Sequence, residues 1–206
     1  MTKLFILMFR YESILFVMSG SFTVNNGTTK TMTATARQSL YIPRGSVISY
    51  KSNSATSFMY IVSQPPNLEK ATAVQAAIGA NPTTIGYPTM ALIADAMTLH
   101  SGLKYFGGEN KDKSYLTDFF LSLVPDAKMT GGFYKLLKGP HLDYTYEYEE
   151  FKYIVNGEYH LSDGTGQKVV AKAGDLMYFP KGCPVRFTSP DFALGFYVGQ
   201  RAGGTA

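Results

Sequence analysis

Two stretches near opposite ends of the chain follow one pattern: ILFVMSGSFTVNNGTTKTMTATARQSLYIPRGSVISY, from Ile14, and KYIVNGEYHLSDGTGQKVVAKAGDLMYFPKGCPVRF, from Lys152. Gly20 and Pro43 stand 23 positions apart, as do Gly157 and Pro180, and each proline opens a Pro-x-Gly turn. The chain therefore carries one supersecondary unit twice, at an offset of 137. Each copy reads as an apolar strand, a glycine turn, an alternating strand, a turn rich in Asn, Asp and Gly, and two further strands around Pro-x-Gly. With 20 Gly, 15 Tyr and 14 Phe in 206 residues, the composition also favours short strands and tight turns, so the predicted class is all-β.

The repeat predicts three segments. Residues 1–64 form an N-terminal barrel, 65–128 a linker with short helices and lead-in strands, and 129–206 a C-terminal barrel. Within the linker, 67–80 has helix-forming composition and 89–97 reads as a second short helix, while 107–114 is a polar loop. Arg10 and Glu12 divide the apolar N-terminus into two pieces of strand length, and no stretch reaches the roughly 18 apolar residues of a membrane span. The net charge of +4 is scattered without a basic run, which argues against nucleic acid or a membrane surface as partner. Cys183, the single cysteine, excludes an internal disulfide, reads as a small filler, and fits a reducing, cytoplasmic setting.

The repeat resembles the cupin family of small jelly-roll β-barrels, whose motifs read G-x5-H-x-H-x3,4-E-x6-G and G-x5-P-x-G-x2-H-x3-N. Glu150 with Gly157 fits the first motif, and Gly174, Pro180 and Gly182 fit the second. The resemblance implies two cupin jelly-roll barrels joined by a partly helical linker. Counting back from Glu150 across a spacer of four residues places Asp143 and Thr145 at the two histidine positions, and counting on from Gly182 places Val185 at the third. Three of the four usual metal ligands are absent by that count. The run Tyr144, Thr145, Tyr148, Glu149, Glu150 is similar to the cupins of bacterial ethanolamine utilisation and their fungal relatives. The bacterial branch is linked to acetate-kinase-like activity, but nothing in this sequence resembles a phosphate-binding glycine loop.

Strand alternation gives Glu150, Lys152 and Ile154 one face, and Asp143 and Thr145 one face of the strand before. With those faces inward, the C-terminal barrel encloses Asp143, Thr145, Glu150 and Lys152. The equivalent N-terminal positions are Ile6, Met8, Ser13 and Leu15, with Ile48 matching Val185, so that copy reads as a packed structural partner. Acids and a lysine where a core favours Leu or Val point to a site. Glu150 is expected as general acid or base, Asp143 as its partner and Lys152 as an electrostatic anchor. Thr145, Tyr144, Tyr146, Tyr148, Tyr178, Val185 and Phe187 are expected to line the substrate position.

This chemistry suits a metal-independent isomerase, cyclase, dehydratase or lyase acting on an apolar or aromatic biosynthetic intermediate, without a cofactor. The alternatives are a non-catalytic small-molecule-binding or assembly cupin, with Glu150 and Lys152 as a structural ion pair, and a weak metal site of His141, Asp143 and Glu150. A sheet edge left bare in the first barrel would be covered by the linker or another subunit, which predicts a homodimer.

Overall fold

The computed structural model describes residues 5–8, 12–25, 31–63, 91–93, 104–105, 113–121 and 128–203, and every regular element among them is a strand. The chain divides into two units, Met1–Thr98 with Ser122–Ala127, and Leu99–Leu121 with Lys128–Ala206.

Unit 1 contains β1 (Phe5–Met8), β2 (Glu12–Ser19), β3 (Ser21–Asn25), β4 (Thr31–Thr35), β5 (Ser39–Ile42), β6 (Val47–Ser52), β7 (Ser57–Ser63) and β8 (Ala91–Ile93). They form two four-stranded antiparallel sheets, ordered β1-β6-β3-β4 and β7-β2-β5-β8. Leu15, Val17, Phe22, Val24, Ala34, Leu40, Ile42 and Ile48, drawn from both sheets, make its core. Ser13, Leu15 and Ile48 are buried as the repeat predicts, while the side chains of Ile6 and Met8 lie outside the described residues.

Unit 2 contains β9 (Lys104–Tyr105), β10 (Ser114–Leu121), β11 (Thr130–Leu137), β12 (Leu142–Thr145), β13 (Glu150–Asp163), β14 (Lys168–Lys172), β15 (Leu176–Phe179), β16 (Pro184–Thr188) and β17 (Phe192–Gly199). Its main sheet runs β12-β16-β13-β17-β11-β10-β9, with β14 and β15 also on β13. The 14-residue β13 pairs through its first half with β15 and β17 and through its second with β14 and β16, so one strand serves two walls. Strands at 12–25 and 150–163 are what the repeat requires.

The offset of 137 holds in backbone detail. Gly20 has φ +76° and Gly157 φ +70°, the left-handed region that favours glycine. A Cβ on Gly20 would stand 2.1 Å from the Ala55 carbonyl oxygen, and one on Gly157 2.0 Å from that of Phe192, which is residue 55 carried forward by the same offset. Both glycines mark a register shift in the long strand, between Val17 and Ser19 and between Ile154 and Asn156.

The helix expected over 89–97 is corrected where it is described. Ala91–Ile93 is a strand that pairs with Ser39–Tyr41. Three apolar residues gain more by completing the exposed edge of β5 than by following a weak helical preference. The helix expected over 67–80, and most of the polar loop over 107–114, lie outside the described residues, whereas β10 supplies a lead-in strand.

Candidate functional site

From Leu142 to Lys152 the chain alternates without a break, and beyond it Tyr153 is half-buried. Leu142, Tyr146, Tyr148, Glu150, Lys152 and Ile154 are buried and Tyr144 half-buried, while Asp143, Thr145, Glu147, Glu149 and Phe151 are exposed. The register of β12 on β16 imposes the same sides: Leu142 and Tyr144 face Phe187 and Val185 inward, and Asp143 faces Arg186 outward.

Two predicted site residues are therefore misplaced. Asp143 is 56% exposed at its side chain, and it accepts 2.7 Å hydrogen bonds from Nε and Nη2 of Arg186. Hydrogen bonding to Arg186 holds its carboxyl below the ordinary aspartate value, and the charges of Arg186 and His141 act the same way. It is not the partner of Glu150, and Thr145 is exposed beside it. The reason is the spacer: with three residues in place of four before Glu150, the histidine positions fall on Tyr144 and Tyr146, which keep the inward parity. Tyr178 also points outward, 47% exposed, with its ring 5.0 Å from that of Phe151. Tyr146, Tyr148, Val185 and Phe187 lie in the interior as expected, and Tyr144 packs against them.

Glu150 and Lys152 are brought together. Lys152 Nζ lies 2.8 Å from Glu150 Oε1, with the two side chains 5% and 3% exposed. Tyr146 donates its hydroxyl to the same oxygen at 2.9 Å and accepts from Lys152 at 3.3 Å. The ammonium sits among aromatic rings, 4.8 Å from the centroid of Tyr134, 5.2 Å from Phe187, 5.3 Å from Phe179 and 5.8 Å from Tyr197. Burial, then the charge of Glu150 and the hydrogen bond to it, push the Tyr146 hydroxyl well above the ordinary tyrosine value. Burial also raises Tyr134, Tyr148, Tyr159 and Tyr197, so the interior tyrosines remain O–H donors at neutral pH. Glycines make room for this arrangement. A Cβ on Gly195 would lie 2.8 Å from Lys152 Cγ, and one on Gly199 would lie 2.8 Å from the Tyr148 ring.

A second polar cluster adjoins the first and has no signal in the motifs. Arg201 donates to Asp118 Oδ2 at 3.0 Å from Nη1 and to Oδ1 at 2.7 Å from Nη2, and its guanidinium lies 5.4 Å from the Tyr148 ring and 5.6 Å from Tyr197. The Tyr197 hydroxyl bonds both Asp118 and the Thr117 carbonyl. Burial works against the charge on Arg201, but its hydrogen bonds to Asp118 hold its pKa above the ordinary arginine value. The Nε–H of Arg201 is buried and has no hydrogen-bond partner among the described residues. Among the described residues of unit 2, Glu150 and Asp118 thus balance Lys152 and Arg201.

The metal that a cupin site implies does not fit these residues. Tyr144, Tyr146 and Val185 stand where imidazoles would be needed, and the remaining carboxylate already holds Lys152. The donors of the metal alternative are not brought together either: His141 and Asp143 lie 3.4 Å apart on the surface, while Glu150 is buried. Among the described residues no group of three His, Cys, Asp or Glu is arranged to hold a metal ion.

Residues 75–203 match the family described as "Ethanolamine utilisation protein EutQ". An acetate kinase EutQ from Clostridioides difficile is 32% identical over 91 residues, covering 44% of this chain and 56% of that protein. The acetate kinase EutQ of Salmonella typhimurium is 36% identical over 55 residues, 27% of this chain and 24% of that protein. The chain thus spans about half, or less, of the curated relatives it matches. A solved cupin 2 conserved barrel domain protein from Leptotrichia buccalis covers 97% of this chain and 79% of its own, with a TM-score of 0.65 at 10% identity. At that identity the likeness shows the fold alone, an all-β cupin fold.

Proposed function

Because the chain belongs to the EutQ family of ethanolamine utilisation proteins, and its interior carboxylate holds a lysine in place of a metal, we propose that it is a metal-independent enzyme for a small organic molecule. The reaction is proton transfer of the isomerase or lyase type, with Glu150 as general acid or base. The observation that carries this reading is the buried contact of Glu150 with Lys152 at 2.8 Å and with Tyr146 at 2.9 Å, inside a wall of aromatic rings. Glu150 moves the proton, Tyr146 orients the carboxylate, and the Lys152 ammonium stabilises negative charge that develops on a substrate oxygen. The rings around Lys152 suit an apolar or aromatic substrate.

The acetate kinase activity named for the bacterial relatives is not carried over, since nothing in the sequence resembles a phosphate-binding glycine loop. The same reading takes each unit as a separate jelly-roll barrel with a partly helical segment between them, and the protein as a cytoplasmic homodimer. Native mass spectrometry of the purified protein identifies the retained molecule, and NMR in D2O follows deuterium entering it. Wild type is expected to exchange protons, and Glu150→Gln to slow exchange by about 100-fold or more. Retention of the molecule without exchange in wild type would give the binding-module alternative its place.

A further inference from the structure

Lys152 is placed as a nucleophile as well as a cation. An amine that forms covalent intermediates needs a desolvated setting, a base within hydrogen-bond reach, and a third group that orients the base. Lys152 has all three. Its side chain is 5% exposed among aromatic rings, Glu150 Oε1 lies 2.8 Å from Nζ, and Tyr146 donates to that same oxygen at 2.9 Å. Gly195 is part of the arrangement, because any Cβ there would stand 2.8 Å from Lys152 Cγ and push the stem aside.

We infer that Lys152 captures the carbonyl carbon of a small uncharged aldehyde or ketone as an iminium, an inference that rests on the acid–base reading of Glu150. The ammonium first passes a proton to Glu150. The free amine attacks the carbonyl carbon, forming the C–N bond while the π pair moves to oxygen, which takes the proton back from Glu150. Glu150 then removes a proton from nitrogen and delivers it to the hydroxyl. The C–O bond breaks, water leaves, and the nitrogen lone pair closes the C=N bond. The products are a protonated iminium, water and the Glu150 carboxylate, so no oxidant or reductant is consumed. The pair begins and ends as one cation against one anion.

Charge selects the substrate class. Lys152 is balanced by Glu150 and Arg201 by Asp118, so a charged substrate would bring an uncompensated ion into an apolar interior. An uncharged carbonyl compound adds none, and its apolar part meets Phe179, Phe187 and Tyr134. An iminium is also an electron sink for removal of a neighbouring proton, which is the step assigned to Glu150.

The test uses the whole protein with benzaldehyde as probe and sodium cyanoborohydride to fix any iminium as a secondary amine, read by peptide mapping. The expected result is a benzyl group on Lys152 ahead of the exposed Lys172 and Lys181. Glu150→Gln is expected to slow capture by about 100-fold, and Tyr146→Phe, which keeps the ring, to slow it less. Labelling of Lys172 and Lys181 with none on Lys152 overturns the inference, as does no labelling at all, and the wild-type arm decides this without any variant. If Lys152 stays unlabelled while Glu150→Gln loses proton exchange on the retained molecule, the covalent step falls and the acid–base reading stands. If Lys152 is labelled equally fast in folded Glu150→Gln, capture stands and the role of Glu150 falls.

Discussion

Removing the Lys152 ammonium alone should harm the fold far more than removing the whole ion pair. Lys152→Met keeps an unbranched stem among the rings but leaves Glu150, 2% exposed, with the Tyr146 hydroxyl and no counter-charge. Breaking a buried pair in this way costs about 3–5 kcal/mol. For a unit of this size each kcal/mol lowers Tm by at least about 4 °C, so the fall is roughly 12 °C or more. Glu150→Gln should cost less, because the stranded ammonium keeps its ring contacts at 4.8–5.8 Å, worth about 0.5–2 kcal/mol in all. The double variant carries no buried ion at this place. Replacing buried pairs by neutral groups of similar volume is neutral or stabilising by about 1–4 kcal/mol, so it should equal or exceed wild type while losing all proton transfer. Urea unfolding followed by tyrosine fluorescence measures the cycle, because the chain has no Trp. Single effects that simply add in the double variant, with coupling under about 0.5 kcal/mol, would refute the buried pair.

Arg201→Met should destabilise unit 2 by about 3–5 kcal/mol by taking the guanidinium from the largely buried Asp118 carboxylate, with Arg201→Lys intermediate in urea unfolding. Gly20→Ala and Gly157→Ala should each cost at least about 1–3 kcal/mol, since both need a positive φ and meet a carbonyl oxygen near 2 Å; unchanged melting would show the bend to be adaptable. Asp143 has a depressed pKa, so its stabilisation is present above the ordinary value of about 3.9 and is lost as pH falls through its lower folded value. Asp143→Asn should therefore differ from wild type in thermal melts at pH 7 and converge with it near pH 2. With Phe151 and Tyr178 exposed side by side on one sheet face, light scattering should give twice the chain mass, and a strict monomer would remove the homodimer.

The fold was legible because its signals are local and occur twice. Gly20 and Gly157 answer to the same backbone constraint, a carbonyl oxygen about 2 Å from any Cβ, so the same residue recurs at the same offset. Where a signal occurs once it misled. Ala91–Ile93 lies in a stretch of helix-forming composition, but its structure is set by the open edge of β5, about 50 residues away in the chain.

The site was half legible, and the dividing line is parity. A strand side chain is committed to one face by its neighbours, so Lys152 followed from Glu150 and the pair was found. The same rule carried back from Glu150 selects Tyr148, Tyr146 and Tyr144, yet counting four spacer residues from a motif selects Thr145 and Asp143, which face solvent. Strand alternation outweighs a motif count here, because one residue of slip moves every side chain to the other face. Asp118 and Arg201 were beyond reach for a different reason. They are 83 residues apart and meet because β10, β11 and β17 are neighbours in one sheet, a pairing that no local pattern encodes. What the sequence did hold was their consequence: Gly132, whose Cβ would stand 2.7 Å from the Tyr197 hydroxyl, is a missing side chain in β11 that lets Tyr197 reach Asp118. In a strand packed against a polar cluster, the glycine is thus the readable trace of a contact whose partners are not.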